Sequence, residues 1–186
     1  HPSQVVPFEG AATGIGGNIR DVTCMGAEVI ALADGLRFGD FNNAKTQWIY
    51  NGVVSGLASY GNAIGVPNIT GDAYFHDGFK DNCLVTVTTL GALKEDEIVH
   101  SYAPPKQSDK TADKYALILV GKPTDNSGFG GASFASFDLD EADAEANKGA
   151  VQEPNAFLGR MMMKISCALF KKLKDKNLLD SVGFKD

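Results

Sequence analysis

Two clusters in the chain have the residue types that phosphate chemistry needs. Gly14, Gly16 and Gly17 run directly into the pair Arg20 and Asp21, and a second glycine cluster, Gly128, Gly130 and Gly131, comes later in "SGFGGAS". Glycine lets the backbone run close to a phosphate and present its amides to it. A guanidinium recognises phosphate or carbonyl oxygens in a bidentate way, and a carboxylate is a hard oxygen ligand for a dication that bridges nucleotide phosphates. Together these groups suit phosphoryl transfer, which asks for positioning and charge neutralisation more than for a protein nucleophile. Taken alone, Arg20 and Asp21 read as a surface ion pair at a helix start, and the glycines serve equally well as a tight turn before a helix.

From Glu9 to Asp34 the sequence "EGAATGIGGNIRDVTCMGAEVIALAD" has the outline of a dinucleotide-binding unit. Such a unit needs a strand feeding straight into the glycine turn. Here the feeding segment is "SQVVPFE", and Pro7 falls where a central parallel strand must donate a hydrogen bond. A short-chain dehydrogenase also needs Tyr and Lys four apart on one helix. The pair with that spacing, Tyr102 and Lys106, encloses Pro104 and Pro105, which no helix interior tolerates. Both failures of context count against the dehydrogenase reading, which binding of a nicotinamide cofactor would revive.

Other candidates are weaker. Cys24, Cys83 and Cys167 are odd in number, widely spaced and flanked by apolar residues, so they read as buried thiols rather than as a disulfide framework or zinc site. His76 and His100 lack ligand-spaced partners and read as surface histidines. A net charge of -6 argues against nucleic acid as a partner, and the cluster from Lys171 to Lys176 reads as the solvated end of a helix. No apolar run approaches membrane-spanning length, and the amino end lacks the pattern of a signal peptide. No membrane partner and a cytoplasmic setting are expected.

These residues must be positioned by a mixed α+β fold. The spacing predicts a turn at Gly14 to Gly17 followed by a short helix over "NIRDVTCMGA", then a strand over "AEVIALADGLRF". From Ala44 to Ile64 the residues Ile49, Val53, Leu57, Tyr60 and Ile64 recur on one helical face. "GVPNITGDAYF" and "CLVTVTTLGAL" read as strands joined by the turn "HDGFKDN". The Pro-containing "APPKQSDKTADK" marks a domain boundary near residues 103–113. Beyond it "YALILVG" predicts a buried strand, and "PNAFLGRMMMKISCALFKKLKDKN" a long helix with Pro154 near its start. Phe157, Met161, Ile165, Ala168 and Leu169 are expected to form its buried face, with Met161 to Met163 as core filler.

Read whole, "HPSQVVPFEGAATGIGGNIRDVTCMGA", "LRFG", "GLASYGNAIGVP" and "SGFGGASFAS" resemble the synthetase subunits of the phosphoribosylformylglycinamidine synthase family, within the aminoimidazole-ribonucleotide-synthetase superfamily. The resemblance covers nearly all of the chain in order. It implies an ATP-dependent ligase that amidates formylglycinamide ribonucleotide with ammonia from a glutaminase. It also implies that residues 1–103 are most of the amino-terminal domain of that superfamily, and that residues 104–186 begin the carboxy-terminal domain of a longer polypeptide.

Roles carry over position by position. His1 matches the second histidine of the family's His-Asn-His-Pro-Ser and is implied to hold substrate. The catalytic histidine is expected just upstream, so the chain by itself is expected to be inactive. Arg20 is implied to contact the ribonucleotide, and Asp21 to bind magnesium beside ATP. The loop of Gly128, Gly130 and Gly131 is implied to lie over the substrate phosphate, although "PTDNSGFGG" departs from the commoner Thr-Gly-Arg-Asp-Gly. Gln152 matches a substrate-binding glutamine, and Asp186 a second magnesium ligand. Asp72 stands where the family usually has glutamate, which retracts its charge by about one methylene. Alternatives within the superfamily are aminoimidazole ribonucleotide synthetase and a non-catalytic nucleotide-binding half.

Overall fold

The computed structural model describes residues 1–102, 115–123, 125–128, 143 and 146–186. In chain order the long elements are α1 (Pro7–Cys24), β1 (Glu28–Phe38), α2 (Ala44–Ile64), β2 (Asn68–Phe75), β3 (Cys83–Ala92) and α3 (Ala156–Asp175). The strands form one sheet in the order β2-β1-β3. β2 runs parallel to β1 through the α2 crossover, and β3 runs antiparallel to it.

The opening glycine motif is not a turn. Gly10, Gly14, Gly16 and Gly17 all lie inside α1, an 18-residue helix that starts with Pro7 in its first turn. Pro7 costs least there because the first amides of a helix have no partner in any case. Each interior glycine disfavours a helix by roughly 1 kcal/mol, but burial of Ala11, Ala12, Ile15 and Ile19 on one face overrides that local preference. Gly10 and Gly16 serve packing, whereas Gly14 faces open space. A Cβ on Gly16 would lie 2.6 Å from the Tyr60 hydroxyl of α2, and one on Gly56 of α2 would lie 2.3 Å from the Phe8 carbonyl of α1. The two helices approach as closely as backbone allows.

α2 follows the sequence pattern. The Asn43 side chain caps it by accepting from the Lys45 amide at 2.8 Å. Ile49, Val53, Leu57, Tyr60 and Ile64 are all buried, and the helix stops at Gly65, whose φ of +76° is open to glycine at little cost. On β1 the residues Leu32, Asp34, Leu36 and Phe38 are buried. They alternate with Ala33, Gly35 and Arg37 on the opposite face, as a strand with one covered side requires. Every residue of β2 is exposed, which makes it a true edge strand.

Two further expectations, for the run after the boundary and for α3, fail. The run from Tyr115 to Gly121 forms no strand; Leu117 is 102% exposed and Leu119 82%. An apolar run expresses a tendency to bury, but a strand needs a partner edge, and no strand pairing is recorded for this run among the described residues. On α3 the expected inner face is the outer one: Phe157 is 77% exposed, while Gly159, Met163, Ser166 and Phe170 are buried. Both stripes fit a helical period. The one carrying Gly159 and Ser166 wins because small side chains let α3 settle onto α2. Met163 is therefore core filler, whereas Met161 is exposed. Pro154 stands just before Asn155, whose side chain caps α3 by accepting from the Leu158 amide at 2.9 Å.

The cysteines are all free, but only Cys83 is fully buried; Cys24 is half-buried and Cys167 exposed, which corrects the expectation for the last. The expected boundary at residues 103–113 lies outside the described residues.

Candidate functional site

A cleft of about 410 Å³ opens between α1, β3 and the segment that precedes α3. Gly10, Gly14 and Asn18, four residues apart along α1, form one wall, and Val85 and Val87 of β3 contribute apolar surface. Across from them stand Gly128, Val151 and Gln152, and His1 lies at one margin. A Cβ placed on Gly14 meets nothing within 4 Å, so this glycine keeps the wall bare where the cleft is open.

The far wall is fixed by bonds between distant segments. The Thr13 hydroxyl donates to the Gln152 carbonyl at 2.7 Å, tying α1 to the segment before α3. The Gly128 amide donates to the Gly149 carbonyl at 3.1 Å, and the Glu153 amide donates to the Ser127 hydroxyl at 3.3 Å. Gly128 has two reasons to be glycine: its φ is +70°, and a Cβ there would come within 2.9 Å of the Gln152 Cβ. The Ser3 amide donates to Nδ1 of His1 at 3.2 Å, so a neutral imidazole carries its proton on Nε2. The cleft thus offers imidazole and amide groups beside an apolar floor, a surface that can hydrogen-bond a neutral amide or hydroxyl group.

A charged cluster lies further along α1. The Arg20 Nε donates to Asp186 Oδ1 at 2.8 Å, with both side chains roughly a quarter to a third exposed (28% and 29%). Burial works against the Arg20 charge, but the bond and charge of Asp186, with a smaller contribution from Tyr60, hold its pKa above the ordinary value. Asp21 follows it in exposed surroundings. Burial first, then the charges of Asp186 and Asp21, push the Cys24 thiol up to about 11.

The structure therefore sorts the sequence candidates into two groups along one helix. His1, Gly128 and Gln152 converge on the cleft. Arg20 and Asp186 meet at a bond, with Asp21 beside Arg20 in the chain and exposed. Gly130 and Gly131 lie outside the described residues. Asp72 stands apart on the open face of the sheet, where its carboxylate accepts from Arg37 at 2.5 Å. His76 caps a short turn by accepting from the Gly78 amide at 3.0 Å, and His100 stacks on Tyr102 at 4.8 Å; both are exposed, as expected. Thr13 and Asn18 escaped the sequence reading, and Tyr60 was legible only as a core position of α2. The helical spacing from Gly14 to Asn18 is visible in the sequence once α1 is known to begin at Pro7, but the Thr13 bond to residue 152 joins positions that no local pattern connects.

These features define an α+β domain whose sheet is backed by helices on one face and whose cleft is walled by the first helix. Residues 1–93 match the family described as AIR synthase related protein, N-terminal domain, and the chain belongs to that family. It is 51% identical over 189 residues to the phosphoribosylformylglycinamidine synthase subunit PurL of Methanothrix thermoacetophila, across 100% of this chain and 24% of that protein. With the Thermus thermophilus PurL it shares 46% over 164 residues, across 88% of this chain and 21% of that one. Among solved structures, T. maritima PurL complexed with FGAR superposes with a TM-score of 0.73 at 32% identity, over 92% of this chain and 26% of that one. T. maritima PurL complexed with ATP gives a TM-score of 0.66 at 27% identity, over 92% and 23%. The chain spans about a quarter of the length of the curated relatives it matches. No helix among the described residues is long and apolar enough to cross a membrane.

Proposed function

We propose that this chain is the substrate-side part of an ATP-dependent carbon-nitrogen ligase that converts formylglycinamide ribonucleotide to formylglycinamidine ribonucleotide in purine biosynthesis. The observation that carries the reading is the convergence of His1, Gly128 and Gln152, remote in sequence, on one cleft walled by the helix that also carries Arg20 and its bond to Asp186. In the reaction the amide oxygen of the substrate takes the terminal phosphoryl group of ATP and ADP leaves. Ammonia then adds to the imidate carbon, phosphate departs with the former amide oxygen, and loss of a proton leaves the amidine.

His1 and Gln152 hold and orient the formylglycinamide portion, whose amide groups match imidazole and carboxamide. Arg20 meets an anionic or carbonyl oxygen of the ribonucleotide. Gly128, bare of a side chain, lets the glycine-rich segment of the sequence approach the substrate phosphate. Asp21 and Asp186 are the carboxylates for magnesium. Two hard oxygen donors suit this ion, which keeps several waters and shares substrate phosphates rather than filling an all-protein cage. When bound, magnesium neutralises charge on the ATP phosphates.

Residues 1–103 form most of one domain and 104–186 begin a second, completed by the remaining domains of a longer polypeptide. A glutaminase supplies ammonia, and the setting is the cytoplasm. The test is ADP release by the full-length polypeptide with magnesium, ATP, ammonium and formylglycinamide ribonucleotide, with the amidine product as a parallel substrate. Release that requires both ammonium and formylglycinamide ribonucleotide supports the reading. Release with the amidine alone assigns the next reaction of the same chemistry, and silence with both overturns ligase activity.

A further inference from the structure

Tyr60 belongs to the core-facing stripe of α2 and is 2% exposed, yet it carries a hydroxyl where Phe would fill the same ring space. Two other helices make room for that oxygen. A Cβ on Gly16 of α1 would lie 2.6 Å from it, and a Cβ on Gly159 of α3 would also lie 2.6 Å from it. Three helices therefore converge on one phenolic oxygen, and two of them lack side chains at the contact.

Arg20 is beside it. The same Cβ on Gly16 would lie 3.1 Å from Arg20 Nη1, so the phenol and one guanidinium edge share the space above Gly16. Nε is held by Asp186 at 2.8 Å, and Nη2 lies 3.8 Å from a Cβ placed on Gly17. Burial raises the pKa of Tyr60, and the nearby guanidinium draws it partly back, which agrees with direct interaction between the two groups.

We propose that Tyr60 is a positioning residue for Arg20: its hydroxyl, admitted by Gly16 and Gly159, accepts from the Nη1 edge and fixes the guanidinium plane so that Nη2 meets the ribonucleotide. The proposal rests on the reading of Arg20 as a substrate contact. A planar five-donor fork binds in a bidentate way only when its plane is set, and one anchor at Nε leaves it free to swing. A second anchor at Nη1 removes that freedom before the ligand arrives, which favours binding.

The experiment is steady-state kinetics on the full-length polypeptide, varying formylglycinamide ribonucleotide. Tyr60→Phe keeps the ring and removes the oxygen. It is expected to raise KM for the ribonucleotide about tenfold, roughly 1.4 kcal/mol, with kcat and the KM for ATP within about twofold. A purely structural role would lower the melting temperature without this split. Gly159→Ala is expected to raise the same KM by displacing the hydroxyl. In the Tyr60→Phe background it should add little, because that Cβ would lie 3.4 Å from Cζ, an ordinary contact. Arg20→Ala separates the two ideas. If it leaves KM unchanged, the reading of Arg20 falls and takes the proposal with it. If it raises KM while Tyr60→Phe does not, or if Tyr60→Phe acts equally in the Arg20→Ala background, the proposal alone is overturned.

Discussion

Replacing Gly14 and Gly16 by alanine, one at a time, gives opposite signs of stability if α1 is a continuous helix. At Gly14 the new methyl meets nothing within 4 Å, so the helix-propensity gain stands alone. That gain is about 1 kcal/mol, which for a chain of this size raises the melting temperature by about 3 °C. At Gly16 the same gain is opposed by a methyl 2.6 Å from the Tyr60 hydroxyl and 2.7 Å from its Cζ, well inside van der Waals contact. Overpacking of this kind costs about 1–3 kcal/mol, so Gly16→Ala should be destabilised by up to about 2 kcal/mol net. None of Gly14, Gly16 and Gly17 has the positive φ that a glycine turn uses. If they did form such a turn, alanine would be strained at each and Gly14→Ala would lose about 1 kcal/mol. Urea unfolding followed by far-ultraviolet circular dichroism separates the two cases by the shift in midpoint at constant m. Loss of stability in Gly14→Ala would refute the packing argument. The same methyl enters the cleft, so under the proposed function this stabilised variant should also weaken ribonucleotide binding by the full-length polypeptide.

Asp34 is buried on the helix side of β1, where one oxygen accepts from the Asn68 side chain and Oδ1 has no partner among the described residues. Burial pushes its carboxyl above the usual range, and the Asn68 bond draws it only partly back. A folded pKa above the unfolded one means that stability is highest at low pH and falls as pH rises through the folded value, with a constant penalty beyond. Asp34→Asn should therefore be more stable than the parent at pH 7, with the difference gone at about pH 3; equal unfolding midpoints at pH 7 would count against this. Burial pushes the Cys83 thiol up to about 12 and Cys24 up to about 11, whereas Cys167 is exposed. Titration with Ellman's reagent near neutral pH should modify Cys167 first and reach Cys83 only after denaturation; a rapid reaction at Cys83 in the native chain would show that its burial is overstated.

What the sequence determined by itself is what short-range physics can express. The five apolar positions of α2 have one period and one solution, so the helix and its buried face were both legible, as were β2 and β3 from their composition and turns. The shared motifs also placed the chain in its family before any coordinates. The tertiary structure decided the rest. Glycines at positions 14, 16 and 17 suit a turn or a close helix contact equally well, and burial of Ala11, Ala12, Ile15 and Ile19 on one face selects the helix. Two stripes of α3 fit the same period, and the choice fell to the one with Gly159 and Ser166 because α2 was already there to be packed against. The run from Tyr115 to Gly121 was apolar enough for a strand but pairs with no strand among the described residues. The cleft was the least legible feature, since the bond from Thr13 to residue 152 and the meeting of Arg20 with Asp186 join positions far apart in sequence. Periodicity reports which side of an element avoids water; it carries no information about which distant surface will cover it.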